Sequence, residues 1–195
     1  MTTDTQSVDL VDAEVVEQFA RAAVLAALIS AMAYVSIPLP FSPVPFTLQV
    51  LFVFLAGLLL GPVWGPVSLL LYLLAGAVGL PVFAGGTGGL GVLLGQTGGY
   101  LWSYPIAAFL IGYLTHRGVD LADPAERSPI ALGVILLAGL AIIYGMGVPW
   151  MAYVLTLDLV EAFVLGAAAF IPLDLIKLLA AVAIVQSGRM PVGEG

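Results

Sequence analysis

Hydrophobic residues run along this chain in long blocks that short polar, proline-rich or glycine-rich stretches separate. A helix crosses the hydrocarbon core of a bilayer with about 20 apolar residues, and with fewer when it begins below the interface. The pattern predicts six such helices, over about 19–36, 47–60, 63–80, 98–113, 129–148 and 172–186. The predicted fold is all-α: an integral membrane bundle of six transmembrane helices with long ordered outer loops.

The stretches between the blocks predict the connections. Four prolines in residues 37–46 prevent a helix from continuing, so an ordered apolar loop is expected there. Gly61-Pro62 predicts a tight turn. Residues 84–99 contain eight glycines among large apolar side chains, which favours close backbone packing over a flexible linker. Residues 156–171 are expected to form an outer loop with a short helix.

The ends of the chain are polar, and a single six-helix domain is predicted over 19–188. Residues 1–18 are acidic and are expected to be a cytoplasmic segment with a short amphipathic lead-in to the first helix. Residues 189–195 are expected to be a cytoplasmic tail.

Composition agrees with a membrane protein. Hydrophobic residues make up 62% of the chain and charged residues 9%, whereas a soluble domain carries about 25% charge. The chain has no cysteine, which excludes disulfides and zinc–sulfur sites, and its five basic residues are too few for a nucleic-acid surface. The single histidine, His116, has no metal-binding neighbours in sequence and is most simply a solvated loop residue. No metal or cofactor is expected.

The basic residues predict the orientation of the chain in the membrane. With the N-terminus inside, four arginines fall at cytoplasmic ends or loops: Arg21, Arg117, Arg127 and Arg189. The outer loops 37–46, 80–97 and 150–171 contain no lysine or arginine, as the positive-inside rule requires. The sequence therefore predicts a multi-pass protein of the plasma membrane with both termini in the cytoplasm.

An acid and a base stand within the last predicted helix. Pro172 suits the first helical position, and Asp174 and Lys177 are three residues apart, so they share one helix face. Each costs about 2.5–3.5 kcal/mol at the centre of a membrane helix by insertion scales. The pair is either a structural ion pair that locks two helices together or a part of a cavity that holds a polar ligand.

Small residues recur every four positions in the first predicted helix. We call Ala23, Ala27 and Ala31 the alanine ridge. Such a ridge lets another helix approach closely in lipid. It fits either packing within the bundle or binding to a partner protein.

An ordered set of motifs resembles the biotin-specific S component of energy-coupling-factor (ECF) transporters, the BioY family. The motifs cover about residues 20–187 and are PVPFTLQ from Pro43, GLPVFAGG from Gly79, TGGY from Thr97, Ile143-Tyr144 with Gly147, and Pro172 with Asp174 and Lys177. Two positions depart from the pattern: Leu173 stands where the family usually has glycine, and Gln96 where it usually has proline.

The resemblance implies a membrane-embedded subunit that captures biotin from outside and is not an enzyme. It further implies ATP-driven uptake through a membrane coupling protein and two cytoplasmic ATPases. The spacing of small residues makes the alanine ridge a candidate docking surface for such a partner. The alternatives are a subunit or carrier for another small vitamin carboxylate, and a stand-alone biotin carrier. A stand-alone carrier would be expected to show an internal repeat, and none is evident.

The resemblance also implies where biotin would bind. Asp174 would accept the ureido N–H groups, and Lys177 would bind the carboxylate. Gln96, Thr97 or Tyr100 would donate to the ureido oxygen. The implied ligand-binding residues are Asp174, Lys177, Gln96, Thr97, Tyr100, Gly86, Thr87 and Tyr144.

Overall fold

The computed structural model describes residues 12–188, and these are mostly helical. The α-helices of this part of the chain are α1 (Ala13–Ala33), α2 (Gln49–Ala77), α3 (Leu90–Leu94), α4 (Gly98–His116), α5 (Pro129–Leu155), α6 (Leu159–Phe163) and α7 (Ile171–Gln186). Shorter elements are two 3-10 helices, Ala84–Gly86 and Pro124–Glu126, and a π-helical turn, Val164–Ala168. The predicted tail 189–195 and the first eleven residues of the predicted N-terminal segment lie outside the described residues.

Helix α1 begins earlier than the sequence pattern predicted. Its first residue is Ala13 rather than Phe19, because the Asp12 side chain accepts a hydrogen bond from the Glu14 N–H and caps the helix. The helix ends at Ala33, three residues before the predicted end. The predicted lead-in at residues 13–18 is therefore the first part of α1.

A short antiparallel ladder closes the neck of the proline-rich loop. Strand β1 (Ser36–Ile37) pairs with β2 (Phe46–Thr47), with Ser36 opposite Thr47. The prediction of an ordered loop agrees with this structure, but the all-α description misses the ladder. Two residues on each side carry too little alternation to be recognised as strands.

The chain reverses direction within α2, at the predicted Gly61-Pro62 turn. Gly61 has φ 69° and ψ −168°, a conformation that glycine adopts without strain and that breaks the helix. The Gln49 Nε2 group donates a 2.5 Å hydrogen bond to the Tyr72 hydroxyl. In a continuous helix these residues would be roughly 35 Å apart at a rise of 1.5 Å per residue. The arms 49–60 and 62–77 therefore form an antiparallel helical hairpin.

By length and composition, three helices of the described chain can cross a membrane: α1, α2 and α5. A fourth span is available if Leu159–Ala168 and Ile171–Gln186, which are bent by 43°, act as one. The hairpin in α2 enters this count once although it has two arms. The structure thus agrees with a multi-pass helical membrane protein, and the number of six spans stays a prediction.

Glycines bring α2, α4 and α5 close together at the centre of the bundle. A Cβ atom on Gly112 of α4 would lie 2.4 Å from the Gly61 carbonyl carbon, and one on Gly57 would lie 2.7 Å from Ile111. Neither position has room for a side chain. This is the small-residue packing that holds helices together in lipid.

The glycine-rich segment is folded against the bundle. Its short helix α3 lies between Gly89, with φ 95°, and Gly95. Indole N–H groups fix it from two sides: Trp102 donates to the Leu93 carbonyl at 3.1 Å and Trp150 to the Gly95 carbonyl at 2.8 Å. The segment forms an ordered wall over the end of the bundle at which α4 begins.

Candidate functional site

A cavity of about 380 Å³ opens between the two ordered loops and the bundle. The proline-rich loop, the end of β2 and the glycine-rich segment form one side, and helices α4, α5 and α7 form the other. The lining is mainly apolar and aromatic, with a few polar side chains that converge on it. Those polar and charged residues are Thr47, Gln49, Thr87, Gln96, Thr97, Tyr100, Tyr104, Tyr144, Asp174 and Lys177.

The carboxylate of Asp174 is bonded on both oxygens. Pro172 lies in the first turn of α7 and places Asp174 in that same turn, where the helix dipole favours a negative charge. The Lys177 ammonium donates to Oδ1 at 2.6 Å, and the Tyr144 hydroxyl of α5 donates to Oδ2 at 2.5 Å. The ammonium also lies 4.3 Å from the centre of the Phe46 ring. Charge pairing and a cation–π contact together stabilise both buried charges.

This geometry bears on the two interpretations of the acid–base pair. Asp174 and Lys177 both belong to α7, so their ion pair does not lock two helices together; the Tyr144 hydroxyl makes the link to α5. Their side chains are only 4% and 7% exposed, and both line the cavity. The position of Asp174 and Lys177 favours the second interpretation, in which the pair is part of a cavity that holds a polar ligand.

The roles that the resemblance implies for the pair stay a prediction, and the geometry of the ion pair bears on them. Those roles placed Asp174 and Lys177 at opposite ends of biotin, on the ureido ring and on the carboxylate. The 2.6 Å contact between Lys177 Nζ and Asp174 Oδ1 puts both groups at the same end of the cavity.

The predicted hydrogen-bond donors line the cavity, but two of them are already bonded to the backbone. Gln96 Nε2 donates to the Pro43 carbonyl at 2.7 Å, and the Tyr100 hydroxyl donates to the Gly166 carbonyl at 2.9 Å. The Thr87 hydroxyl donates to Ala84 at 3.1 Å, and Thr97 also lines the cavity. Gly86 is not part of the lining: a Cβ there would lie 3.0 Å from the Tyr34 ring.

Three polar lining residues were not in the predicted ligand-binding set. Thr47 and Gln49 stand in the PVPFTLQ motif, and the Thr47 hydroxyl donates to Gln49 Oε1 at 3.0 Å. Tyr104 follows Tyr100 by one helical turn on α4, and this spacing was the available signal. Tyr104 is 5% exposed.

The proline-rich loop is held over the cavity by two side chains. The Ser42 hydroxyl donates to the Leu165 carbonyl of the π-helical turn at 2.7 Å. Gln96 bonds to Pro43 from the glycine-rich side. Polar contacts thus connect this loop to both neighbouring segments. We call the loop, residues 37–46, the roof of the cavity.

The alanine ridge faces away from the bundle. Ala23, Ala27 and Ala31 are exposed, whereas Ala22 and Ala26 are buried against the other helices. Packing within the described chain therefore does not occupy the ridge.

A second polar cluster lies at the other end of α4, and it corrects the expectation for His116. The ring is 6% exposed rather than solvated. Nδ1 lies 3.0 Å from the Ala122 nitrogen and 2.9 Å from the Ala122 carbonyl oxygen, and Nε2 lies 3.1 Å from the Leu58 carbonyl oxygen. Nearby, Arg127 Nε donates to the Thr115 carbonyl at 2.7 Å. Within residues 12–188, no three His, Cys, Asp or Glu side chains gather to hold a metal ion.

The chain is similar to proteins named as biotin transporters. The sequence model of a protein family, described as the BioY family, matches residues 2–193 of this chain. A biotin transporter BioY of Thermotoga maritima is 44% identical over 164 residues, which cover 84% of this chain and 90% of that protein. A biotin transporter BioY of Rhizobium etli is 38% identical over 161 residues, which cover 82% of this chain and 86% of that protein. The crystal structure of the S-component for biotin from an ECF-type ABC transporter has a TM-score of 0.82 at 31% identity, covering 92% of this chain and 94% of that one.

Proposed function

Because the chain belongs to the BioY family, we propose that it is the membrane-embedded subunit that captures biotin for ATP-driven uptake. The observation that carries this proposal is the cavity with a buried Asp174–Lys177–Tyr144 group in otherwise apolar surroundings. Few polar groups converging in an apolar pocket are typical of a small-molecule site.

The chemistry of biotin fits the lining. Its fused rings and thioether are apolar and match the valine, phenylalanine and tyrosine side chains of the wall. Its ureido N–H groups need an acceptor, and each Asp174 oxygen keeps a lone pair beyond the bond that it accepts. Lys177 and Tyr144 hold this carboxylate in a fixed orientation.

The carboxylate of biotin lies away from the ion pair in this arrangement. Lys177 is the only basic residue of the described lining, and its ammonium is already bonded to Asp174. The biotin carboxylate then depends on uncharged donors or on water, and Thr97 is a candidate donor. An ester of biotin should accordingly still bind.

Titration calorimetry of the purified protein tests the proposal. We expect saturable binding of biotin with one site per chain. Lipoate is a matched competitor, because it carries a sulfur ring and the same side-chain acid but no ureido group. Binding of lipoate without binding of biotin would instead favour a carrier for another vitamin carboxylate.

ATP-driven uptake would need partner subunits, since the sequence has no nucleotide-binding loop. We propose that these are a membrane coupling protein and two cytoplasmic ATPases, and that the exposed alanine ridge contacts the coupling protein. The positive-inside pattern supports a cavity that faces outward and termini in the cytoplasm.

Substitution on the ridge tests the docking surface. Ala27→Leu should block assembly with the coupling protein, because overpacking a close contact costs about 1–3 kcal/mol. Biotin affinity of the isolated subunit should stay within twofold of wild type. Pull-down of the coupling protein and biotin titration of the same variant measure the two effects. Normal assembly would show that the ridge is idle surface in contact with lipid.

A further inference from the structure

Tyr104 differs from the other tyrosines around the cavity. The hydroxyls of Tyr100 and Tyr144 each donate a hydrogen bond, and the hydroxyl of Tyr72 accepts one from Gln49. Among residues 12–188, the Tyr104 hydroxyl has no hydrogen-bond partner, although the residue is only 5% exposed. The Tyr104 oxygen is not completely enclosed by protein atoms, so a small part of its surface stays accessible. Tyr104 lines the cavity, and we take this accessible part to face it.

A buried hydroxyl without a partner is unfavourable unless something supplies one. Leaving such a group unsatisfied costs about 1–3 kcal/mol, and buried polar groups in folded proteins are nearly always paired. The hydroxyl of Tyr104 lines the ligand cavity, so its partner is water in the free protein and the ligand when one is bound.

The remaining donors of the cavity indicate which ligand group this is. Of the three expected donors to the ureido oxygen, Tyr100 gives its only O–H to the Gly166 carbonyl and Gln96 gives one N–H to the Pro43 carbonyl. Thr97, the third, is the candidate donor to the biotin carboxylate. Asp174 is an acceptor and meets the ureido N–H groups. A cyclic urea that binds there still presents its carbonyl oxygen, which needs a donor nearby.

We propose that the Tyr104 hydroxyl donates a hydrogen bond to the ureido oxygen of the ligand and thereby selects for ligands with that oxygen. This inference rests on the proposed biotin-binding function. Selection follows from desolvation: a ligand without the acceptor leaves the buried hydroxyl unpaired and binds much more weakly.

Tyr104→Phe tests this role, since it removes one oxygen and keeps the ring. Three ligands are titrated: biotin, biotin methyl ester, and 2-iminobiotin, which at neutral pH carries N–H donors in place of the ureido oxygen. We expect affinity for biotin and for the ester to fall by the same factor, about 10- to 100-fold. Affinity for 2-iminobiotin, which the proposal expects to be lower than that for biotin in the wild type, should not change in the variant.

Tyr153→Phe is the matched control, because Tyr153 is 81% exposed on α5 and also loses only a hydroxyl. It should leave all three affinities unchanged. An unaltered biotin affinity in Tyr104→Phe would overturn the proposal, as would an equal loss for biotin and 2-iminobiotin. A loss for biotin but not for its ester would assign Tyr104 to the carboxylate instead. Failure of the proposed function is seen separately, as a wild-type protein that binds no biotin.

Discussion

The two ends of the bundle each bury a polar cluster, and the clusters are built differently. Around Asp174, side chains bond to side chains: the ammonium of Lys177 and the hydroxyl of Tyr144 meet one carboxylate at the edge of a cavity. Around His116, side chains bond to the backbone: the ring reaches Leu58 and Ala122, and the Arg127 guanidinium reaches the last carbonyls of α4.

The difference fits a structural role at one end of the bundle and the proposed ligand site at the other. Backbone partners at the His116 end join α2, α4 and the following loop, and their loss would leave carbonyl and N–H groups unpaired. At the Asp174 end, both charges lie on α7 and are costly to bury, and Tyr144 and Phe46 link them to α5 and β2. Unlike the groups around His116, these charges line a cavity.

Removal of both charges should have the largest effect on ligand binding. In the double variant Asp174→Asn, Lys177→Met, biotin affinity should fall at least about 100-fold, because the charged acceptor is gone. Thermal stability should be equal to wild type or higher, since replacing a buried ion pair with neutral groups is often neutral or stabilising. Calorimetry and a melting curve measure the two. A protein that no longer folds would show that the pair is structural.

The single variant Lys177→Met tests whether the ammonium pairs with Asp174 or with the ligand. It leaves the Asp174 carboxylate buried without its countercharge, so ligand binding should weaken by about 2–5 kcal/mol. Because Lys177 pairs with Asp174 rather than with the ligand, biotin and biotin methyl ester should lose affinity equally. A larger loss for biotin than for its ester would restore Lys177 as the partner of the carboxylate.

The opposite result is expected at the other cluster. His116→Leu leaves the Leu58 carbonyl and the Ala122 N–H without partners, so the free energy of unfolding should drop by about 1–3 kcal/mol. The dissociation constant for biotin should stay within twofold of wild type. Denaturant unfolding and calorimetry on the same preparation decide the point. A weakened affinity at unchanged stability would connect this end of the bundle to the ligand site.

The smallest effect is expected at the roof. Gln96→Ala removes the bond to the Pro43 carbonyl, whose net worth is about 0.5–1.5 kcal/mol, so biotin should dissociate roughly two- to tenfold faster. Ser42→Ala removes the hydrogen bond between the other side of the loop and the Leu165 carbonyl. If both residues only hold the loop in place, this variant should raise the rate of biotin dissociation by a similar factor. Stopped-flow release of labelled biotin measures both variants. An effect of Gln96→Ala alone would assign Gln96 to direct ligand contact.

The sequence predicted the features that depend on nearby residues. Apolar blocks gave the positions of the helices, Gly61-Pro62 gave the reversal in α2, and the three-residue spacing placed Asp174 and Lys177 on one face. Each of these follows from local geometry, which the order of residues contains directly.

Features that depend on distant residues could not be predicted. Helices α2, α4 and α5 are apolar on all sides, so no polar stripe shows which face turns inward. The burial of His116 depends on Leu58, and the engagement of Tyr100 depends on Gly166, 66 positions along the chain. The free hydroxyl of Tyr104 becomes evident only when the partners of its neighbours are known.

The reversal at Gly61 also has a consequence for how the chain is made. Arm 49–60 has twelve residues and spans only roughly 18 Å, less than the roughly 30 Å of a hydrocarbon core. The two arms contain no charged residue, so they can leave the insertion machinery together as a preformed pair. Their contacts are local in sequence, with 23 positions from Gln49 to Tyr72, so we expect them to form early. We then expect α4 to dock on this hairpin through Gly112, which packs against Gly61.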